Sequence, residues 1–188
     1  MPDVYRALDH MGIRHAETTV CETDDWMAAY CHRYGQDTQI IIASQDSDFF
    51  QLITDNVQIL RYRGDRSVVW DVAYTQEKLC VAPNRYADFK SLTGDPADNI
   101  KGADKIGPKT AAWLLQEFGS LESIISRAEE ITKPSVRTSI LQNAERLRKN
   151  YQLIRLSGEA EIPFALEDLH YTDDGITTTQ VLTAIGVR

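Results

Sequence analysis

The segment from Ser91 to Ala111 constrains the fold most strongly, because it joins two turns of different chemistry. The first turn, Gly94 to Asn99, contains a glycine, a proline and two aspartates, which is typical of a tight acidic loop whose carboxylates can hold a hard cation. The second turn, Gly107 to Thr110, comes before an apolar-periodic segment, so its glycine and proline predict the start of a helix. The backbone N–H groups of such a helix start can bind a phosphate.

Each turn alone also fits a plain surface turn or an ordinary capped helix, but their order resembles one family closely. A Gly-Asp-x-x-Asp-Asn-Ile loop followed by Gly-x-x-x-Ile-Gly-x-Lys-Thr-Ala is similar to the metal loop and helix-three-turn-helix of the bacterial and phage 5' nucleases. The resemblance implies an α/β nuclease core with a parallel, PIN-like (Rossmann-like) sheet, followed by a helical DNA-binding region. The implied division is residues 1–74 and 75–188, with the helix-three-turn-helix at about 93–118.

Two further acidic clusters flank predicted elements. The apolar run Gln39 to Ala43 is typical of a central strand buried on both faces of a parallel sheet, and acids follow its carboxyl end, where sites of open α/β sheets lie. The other cluster precedes an apolar helix, where the helix dipole explains one or two carboxylates, but three within four positions repel one another unless they share a cation. The clustered acids are Glu22, Asp24 and Asp25, and Asp46 and Asp48.

By resemblance, the seven carboxylates of the three clusters bind two divalent cations. Such a number of carboxylates cannot be ionised close together without compensating charge, and ligation by oxygen alone favours Mg²⁺ or Mn²⁺ over zinc. The first metal is assigned mainly to Glu22, Asp24 and Asp25, and the second mainly to Asp46, Asp48, Asp95 and Asp98. The implied catalytic residues are Asp24, Asp25, Asp46 and Asp48. The family usually has a glycine where Gln45 stands, but both acids of that turn are present.

The helix-three-turn-helix implies structure-selective binding to the phosphates of duplex DNA that carries a 5' end or flap. The residues assigned to DNA binding are Lys101, Gly102, Lys105, Ile106, Gly107, Lys109 and Thr110. In the family, a proline is common at the position of Lys101 and a glycine at the position of Lys105, so this turn is expected to be less tight and more basic. The resemblance also allows a monovalent cation (K⁺) at the turn.

The distribution of charge along the chain agrees with a DNA partner better than the net charge does. A net charge of -8 argues at first against nucleic acid. However, residues 22–48 contain six acids and one base, whereas residues 101–155 contain ten bases and six acids. An acidic patch for cations beside a basic region for phosphates suits a metal-dependent nuclease, although chance clustering in an acidic protein gives the same pattern.

Periodicity and turn residues predict the remaining elements. Helices are predicted over residues 4–11, 49–53, 75–80, 85–93, 120–128, 136–156 and 179–185. Extended segments are predicted over residues 13–20, 57–62, 67–72 and 162–170, with a hairpin turn at 61–66. No apolar run approaches the roughly 20 residues of a membrane span, and the three cysteines are scattered. We therefore expect a cytoplasmic protein with reduced thiols and no membrane partner.

The predicted function is that of a metal-dependent 5'-3' exonuclease or structure-specific 5'-flap endonuclease, acting in DNA replication and repair. The resemblance begins well inside the nuclease domain, so we expect this activity to be incomplete without a further N-terminal segment, another polypeptide or self-association. A non-catalytic, structure-selective duplex DNA-binding remnant stays open as the alternative, and a metal-dependent phosphatase is less supported. The seven acids favour the nuclease, because a binding protein has no physical need for clustered carboxylates.

Overall fold

The computed structural model describes residues 2–187, and the main sheet of that range has three strands. These are β1 (Ile40–Ala43), β2 (Val57–Arg61) and β3 (Val68–Trp70). β1 and β2 run parallel, whereas β3 returns antiparallel through the predicted hairpin turn. The predicted α/β class is confirmed, with a mixed rather than wholly parallel sheet.

Helices form most of the rest of the described chain. They are α1 (Pro2–His10), α2 (Thr23–Tyr34), α3 (Val72–Leu79), α4 (Tyr86–Thr93), α5 (Pro108–Phe118), α6 (Leu121–Ser126), α7 (Pro134–Ile154) and α8 (Thr178–Ala184). Side-chain caps begin three of them, because Asp71, Ser120 and Thr177 each accept a backbone N–H three residues later. None of the helices within residues 2–187 combines the length and the apolar composition needed to cross a membrane.

β1 lies at an edge of the described sheet, which corrects the prediction of a central strand. Ile42 points into the core and is 7% exposed, whereas Ile41 on the opposite face is 61% exposed. The exposed face borders an apolar cleft between α2 and the segment around Phe164. A continuous apolar run does not by itself distinguish one buried face from two, and this is why the prediction was wrong.

Three other predicted elements differ in detail. Residues 13–20 form no strand, because the Thr18 hydroxyl accepts the N–H groups of Val20 and Cys21 at 3.2 and 3.4 Å and holds a local turn instead. The helix predicted at 49–53 is a short 3-10 turn, Asp48–Leu52. The segment 162–170 is irregular and contains another 3-10 turn, Leu166–Leu169, although the Phe164 carbonyl bonds Tyr30 of α2.

A single hydrophobic core links the main sheet to the C-terminal helices. Ile59 of β2, Leu92 of α4, Leu114 of α5 and Leu147 of α7 are all fully buried in it. Each such side chain contributes on the order of 1.5–3 kcal/mol relative to full exposure. The loops that follow the sheet and the turns that precede α5 are therefore held in one fixed arrangement.

A second, very small sheet carries the acidic loop. Its strands are β4 (Gly94–Asp95) and β5 (Ile100–Lys101), which pair antiparallel. Gly94 has φ 83°, and a Cβ there would lie 2.5 Å from the Gly102 nitrogen. A Cβ on Gly102 would lie 2.3 Å from the Thr93 carbonyl carbon. Both glycines are required because two backbone segments cross here in direct contact.

Polar side chains of α7 form hydrogen bonds to the backbone at this crossing. Ser139, Arg146 and Asn150 donate hydrogen bonds to backbone carbonyls within residues 101–104, at 2.5, 2.8 and 2.9 Å. Asn150 is 5% exposed and also reaches the carbonyl of Ser91 at 3.2 Å. α7 thus stabilises the crossing by satisfying buried carbonyl groups, a role that its amphipathic pattern did not predict.

Replacing Asn150 with alanine should lower the free energy of unfolding by about 1–3 kcal/mol, because the buried Ser91 carbonyl and the partly buried Lys101 carbonyl lose this donor. Gln142→Ala, at an exposed position of the same helix, is the matched control and should change stability by less than about 0.5 kcal/mol. Urea unfolding of both variants measures the difference. Equal losses for the two variants would contradict the anchoring role of Asn150.

Candidate metal and DNA-binding site

Three aspartates from different elements meet at one point, and we call them the acid triad: Asp48, Asp95 and Asp98. One carboxylate oxygen of each lies within 4.8 Å of the others. Asp48 begins the 3-10 turn that follows β1, whereas Asp95 lies in β4 and Asp98 in the turn before β5. Within residues 2–187, this is the one group of three or more histidine, cysteine or acidic side chains that is so close.

Local hydrogen bonds fix the two loops that supply the triad. The Asp46 carboxylate accepts the Asp48 N–H at 2.9 Å, and the Asp95 carboxylate accepts the Ala97 N–H at 3.1 Å. Such bonds from an aspartate to the N–H two residues later are typical of tight turns. Asp46 therefore supports the loop that carries Asp48 and does not itself join the triad.

Gln45 fits its turn even though the family usually has glycine there. Its side-chain amide donates to the Tyr62 carbonyl at 2.9 Å, and its own carbonyl accepts from the Arg61 guanidinium at 2.5 Å. The Arg61 guanidinium in turn lies over the rings of Phe50 and Trp70. Its central carbon, Cζ, is 4.9 Å from the centroid of the Phe50 ring and 5.7 Å from that of the Trp70 ring. These contacts connect the acidic turn to the end of β2.

Lys90 of α4 lies beside the acid triad and was not among the residues predicted from the sequence. Its ammonium group forms an ion pair with the Asp95 carboxylate and lies 3.5 Å from Oδ1 of Asp48. Only 12% of the lysine side chain is exposed. In the sequence, only its position in the helix directly before the acidic loop pointed to Lys90. Its contact with Asp48 depends on how α4 packs, which the sequence does not show.

The carboxylates of the triad differ in how well they are compensated. Burial raises the pKa of Asp48 to about 6, against the lowering effect of Lys90 and with further raising by Asp46 and Asp95. Burial alone would also raise the pKa of Asp95, but Lys90 and the Ala97 N–H lower it below its usual value. Negative charge is therefore less stable on Asp48 than on Asp95.

The first acidic cluster lies close to the triad without joining it. Burial raises the pKa of Asp24, and the charges of Asp46, Glu22, Asp25 and Asp98 raise it further in that order. Glu22 stands at the N-cap of α2, where its side chain forms no capping hydrogen bond. The structure thus brings the predicted acids to one region, but only three have oxygen atoms close enough together to share one ion.

The triad suits a divalent cation with a preference for oxygen. Oδ1 of Asp48 is buried and accepts no hydrogen bond from the described residues, although the Lys90 ammonium lies 3.5 Å from it. A buried anionic oxygen of this kind is costly unless a cation or donor satisfies it. Three carboxylates with no nitrogen or sulfur ligand match Mg²⁺ or Mn²⁺ better than zinc.

The turn before α5 presents lysines to solvent. Lys101, Lys105 and Lys109 are exposed, whereas Ile106 is 5% exposed and anchors the turn in the core. Lys105 has φ 64°, the left-handed conformation that glycine adopts more easily and that costs other residues on the order of 1–2 kcal/mol. Lys105, where the family commonly has a glycine, therefore adds a positive charge to the turn at a cost in backbone strain.

Two further features of this turn concern its backbone and its neighbours. Gly107 is the N-cap of α5 and provides no side-chain cap. Pro108 has no N–H and the Thr110 N–H donates to the Gly107 carbonyl at 3.0 Å, so the Lys109 N–H is the group of this first turn that is left for a ligand. Gly102 is buried at the backbone crossing and does not face solvent. Much of the other positive charge is paired internally, since Arg148 binds Glu122 and Glu145.

Comparison with protein families and curated sequences gives consistent matches. A family model described as 5'-3' exonuclease, C-terminal SAM fold, matches residues 81–175, and one described as 5'-3' exonuclease, N-terminal resolvase-like domain, matches residues 1–80. The chain is 36% identical over 155 residues to DNA polymerase I of Rhizobium leguminosarum, which covers 81% of this chain and 15% of the polymerase. It is 30% identical over 173 residues to a 5'-3' exonuclease of Buchnera aphidicola subsp. Acyrthosiphon pisum. This match covers 88% of this chain and 60% of the exonuclease.

A solved structure shows the same fold. The bacteriophage T5 D15 flap endonuclease, in a pseudo-enzyme-product complex with DNA and metal ions, superposes with a TM-score of 0.63 at 27% identity. The match covers 72% of this chain and 50% of the phage chain. The chain therefore spans less than two thirds of the length of each of these proteins.

In the metal-free protein, Asp48→Asn should raise the free energy of unfolding at pH 8 by about 1 kcal/mol. The pKa of Asp48 is raised to about 6 in the folded chain, so its ionisation between roughly pH 4 and pH 6 lowers wild-type stability, and asparagine removes this loss. A two-unit shift corresponds to about 3 kcal/mol, which solvent at the site reduces.

Thermal unfolding in the presence of a chelator, at pH 4 and pH 8, measures this difference. The advantage of the variant should largely disappear near pH 4, where the folded wild-type carboxyl is protonated and the unfolded one, with an ordinary pKa of 3.8, is only about half ionised. Asp37→Asn, at an exposed position, is the control. A variant that is less stable than wild type at pH 8 would show that the Asp48 charge is well compensated without metal.

Proposed function

This chain belongs to the 5'-3' exonuclease family, and we propose that it hydrolyses DNA phosphodiester bonds at 5' ends or flaps with divalent metal ions. The observation that carries this proposal is the acid triad. The hydrophobic core beside it contains Phe49, next to Asp48, and Ile106, which anchors the exposed lysine-bearing turn. Carboxylates that bind Mg²⁺ or Mn²⁺ beside a phosphate-binding turn are the two parts that such a reaction needs.

The acidic residues hold the metal ions in this proposal. Asp48, Asp95 and Asp98, together with Asp46, serve mainly one ion, and Glu22, Asp24 and Asp25 serve mainly the other. Bound there, the ions supply Lewis-acid activation of water and stabilise the leaving oxygen of the phosphodiester. The protein contributes fixed carboxylate positions, because turn hydrogen bonds to the N–H groups of Asp48 and Ala97 orient the two loops.

The turn before α5 holds the duplex through phosphates. Lys101, Lys105 and Lys109 offer exposed positive charge, although Lys101 also pairs with Asp104. The N-terminus of α5 adds the Lys109 N–H, which no side chain caps. The turn residues Gly102, Ile106, Gly107 and Thr110 shape this backbone, and a K⁺ ion at the turn belongs to the same proposal. The T5 relative, whose structure contains DNA and metal ions, supports this assignment. Such contacts select duplex structure and not sequence.

The nuclease core occupies residues 1–74 and the helical DNA-binding region residues 75–188 in this proposal. All strands of the main sheet precede residue 74, and the exposed lysine turn follows residue 93. The exposed edge of β1 supports a further partner, either another polypeptide strand or a second copy of the chain.

A second candidate function is binding to duplex DNA without cleavage. The specific observation in its favour is Lys90, which places a positive charge between two carboxylates of the triad. If this charge keeps metal ions out, the lysine turn still binds phosphates but no hydrolysis follows.

Cleavage of a 5'-flap duplex labelled at its flap tests the proposal. We expect weak, Mg²⁺-dependent product formation. Asp98→Asn should reduce the rate at least about a hundredfold by removing a metal ligand. Asp37→Asn, at an exposed position outside the predicted metal and DNA-binding residues, is the control and should retain most of the rate. Retained duplex binding with no cleavage by wild type would instead favour the second function.

Lys109→Ala should weaken binding to all duplex sequences about equally. The loss of one phosphate contact lowers the slope of log affinity against log salt concentration by about one unit. Fluorescence anisotropy at several salt concentrations measures this slope. Lys78→Ala, on α3, is the control and should leave the slope unchanged. A loss that depends on sequence would indicate base contacts and contradict phosphate binding.

A further inference from the structure

We infer that Lys90 is an internal counter-ion that competes with a divalent cation for the acid triad. Its ammonium forms an ion pair with Asp95 and lies 3.5 Å from Asp48, so it contacts two of the three carboxylates that would hold the ion. This inference rests on the proposed metal site and adds a residue that sets how tightly the site binds.

The backbone position of Lys90 is fixed by the packing of α4. The neighbouring residues Phe89 and Leu92 are buried in the core. Asp88 on the same helix accepts the Leu121 N–H at 2.7 Å and so joins α4 to the start of α6. Relief of repulsion between Lys90 and an incoming ion therefore has to come from movement of the lysine side chain, whose flexible stem allows it.

The positive charge of Lys90 lowers the affinity of the acid triad for a divalent cation. In the metal-free protein, the ammonium offsets part of the repulsion among three clustered carboxylates and stabilises the folded chain. A divalent cation at the triad faces that ammonium at short range, with little water between them, because the lysine side chain is 12% exposed. Binding then has to break the ion pairs of Lys90, and the affinity of the site is lowered by the free energy of those pairs.

Titration calorimetry with Mn²⁺ tests this inference on three proteins: wild type, Lys90→Met and Lys78→Met. Methionine keeps the length of the side chain without its charge, and Lys78 is an exposed lysine paired only with Glu77. We expect Lys90→Met to bind Mn²⁺ roughly tenfold more tightly than wild type, since a charged hydrogen bond no longer has to be broken. Lys78→Met should match wild type.

The outcomes separate this inference from the proposed function. Equal or weaker Mn²⁺ binding by Lys90→Met, with measurable binding by wild type, overturns the counter-ion role and leaves the metal site in place. If neither protein binds Mn²⁺, the proposed metal site is wrong and this inference falls with it. Lys90→Arg keeps the charge and should bind no more tightly than wild type.

A measurement on the unaltered protein gives a second test that does not depend on the folding of a variant. Acetylation of lysines, quantified by mass spectrometry, reports how accessible each ammonium group is. Added Mg²⁺ should increase the labelling of Lys90 several-fold, because the ion displaces it from Asp48 and Asp95, while Lys78 stays unchanged. Constant labelling of Lys90 under Mg²⁺ concentrations that saturate the site overturns the inference.

Discussion

Repulsion among clustered carboxylates is the interaction on which the rest of this structure depends. Asp48, Asp95 and Asp98 lie so close that their charges have to be compensated, and Lys90 compensates them only in part. The raised pKa of Asp48, and its buried oxygen that accepts no hydrogen bond, both reflect the negative charge that is left uncompensated. A globular chain holds such an arrangement only where the surrounding packing is strong enough to oppose it.

That packing comes from the backbone crossing at Gly94 and Gly102 and from the helix behind it. The absence of a Cβ at both positions lets two chain segments touch, so Asp95 and the lysine turn are fixed relative to each other. Asn150 and its neighbours on α7 then satisfy the carbonyls that this crossing buries. The acid triad and the lysine turn are therefore parts of one rigid unit, which suits a reaction that has to place a phosphate against metal ions.

The sequence predicted those features that short segments determine by themselves. The acidic loop, the helix start at Gly107 and the turn holding Asp46 and Asp48 follow from glycine, proline and aspartate chemistry, and the α/β class is what the family resemblance implies. Contacts between distant segments were not accessible in the same way. Lys90 reaches Asp48 only through the packing of α4, and the exposure of Ile41 depends on what covers the other face of β1.

The edge position of β1 has a consequence for the behaviour of this chain in solution. Its residues, Ile40 to Ala43, carry no charge, and Ile41 presents an apolar surface beside a strand edge that is unpaired within the described residues. Natural proteins usually protect such edges with lysine, proline or a bulge, because an unprotected edge templates the addition of further strands. We therefore expect β1 to be the place where aggregation starts at high concentration, so that the colloidal stability of the protein depends on what covers these four residues.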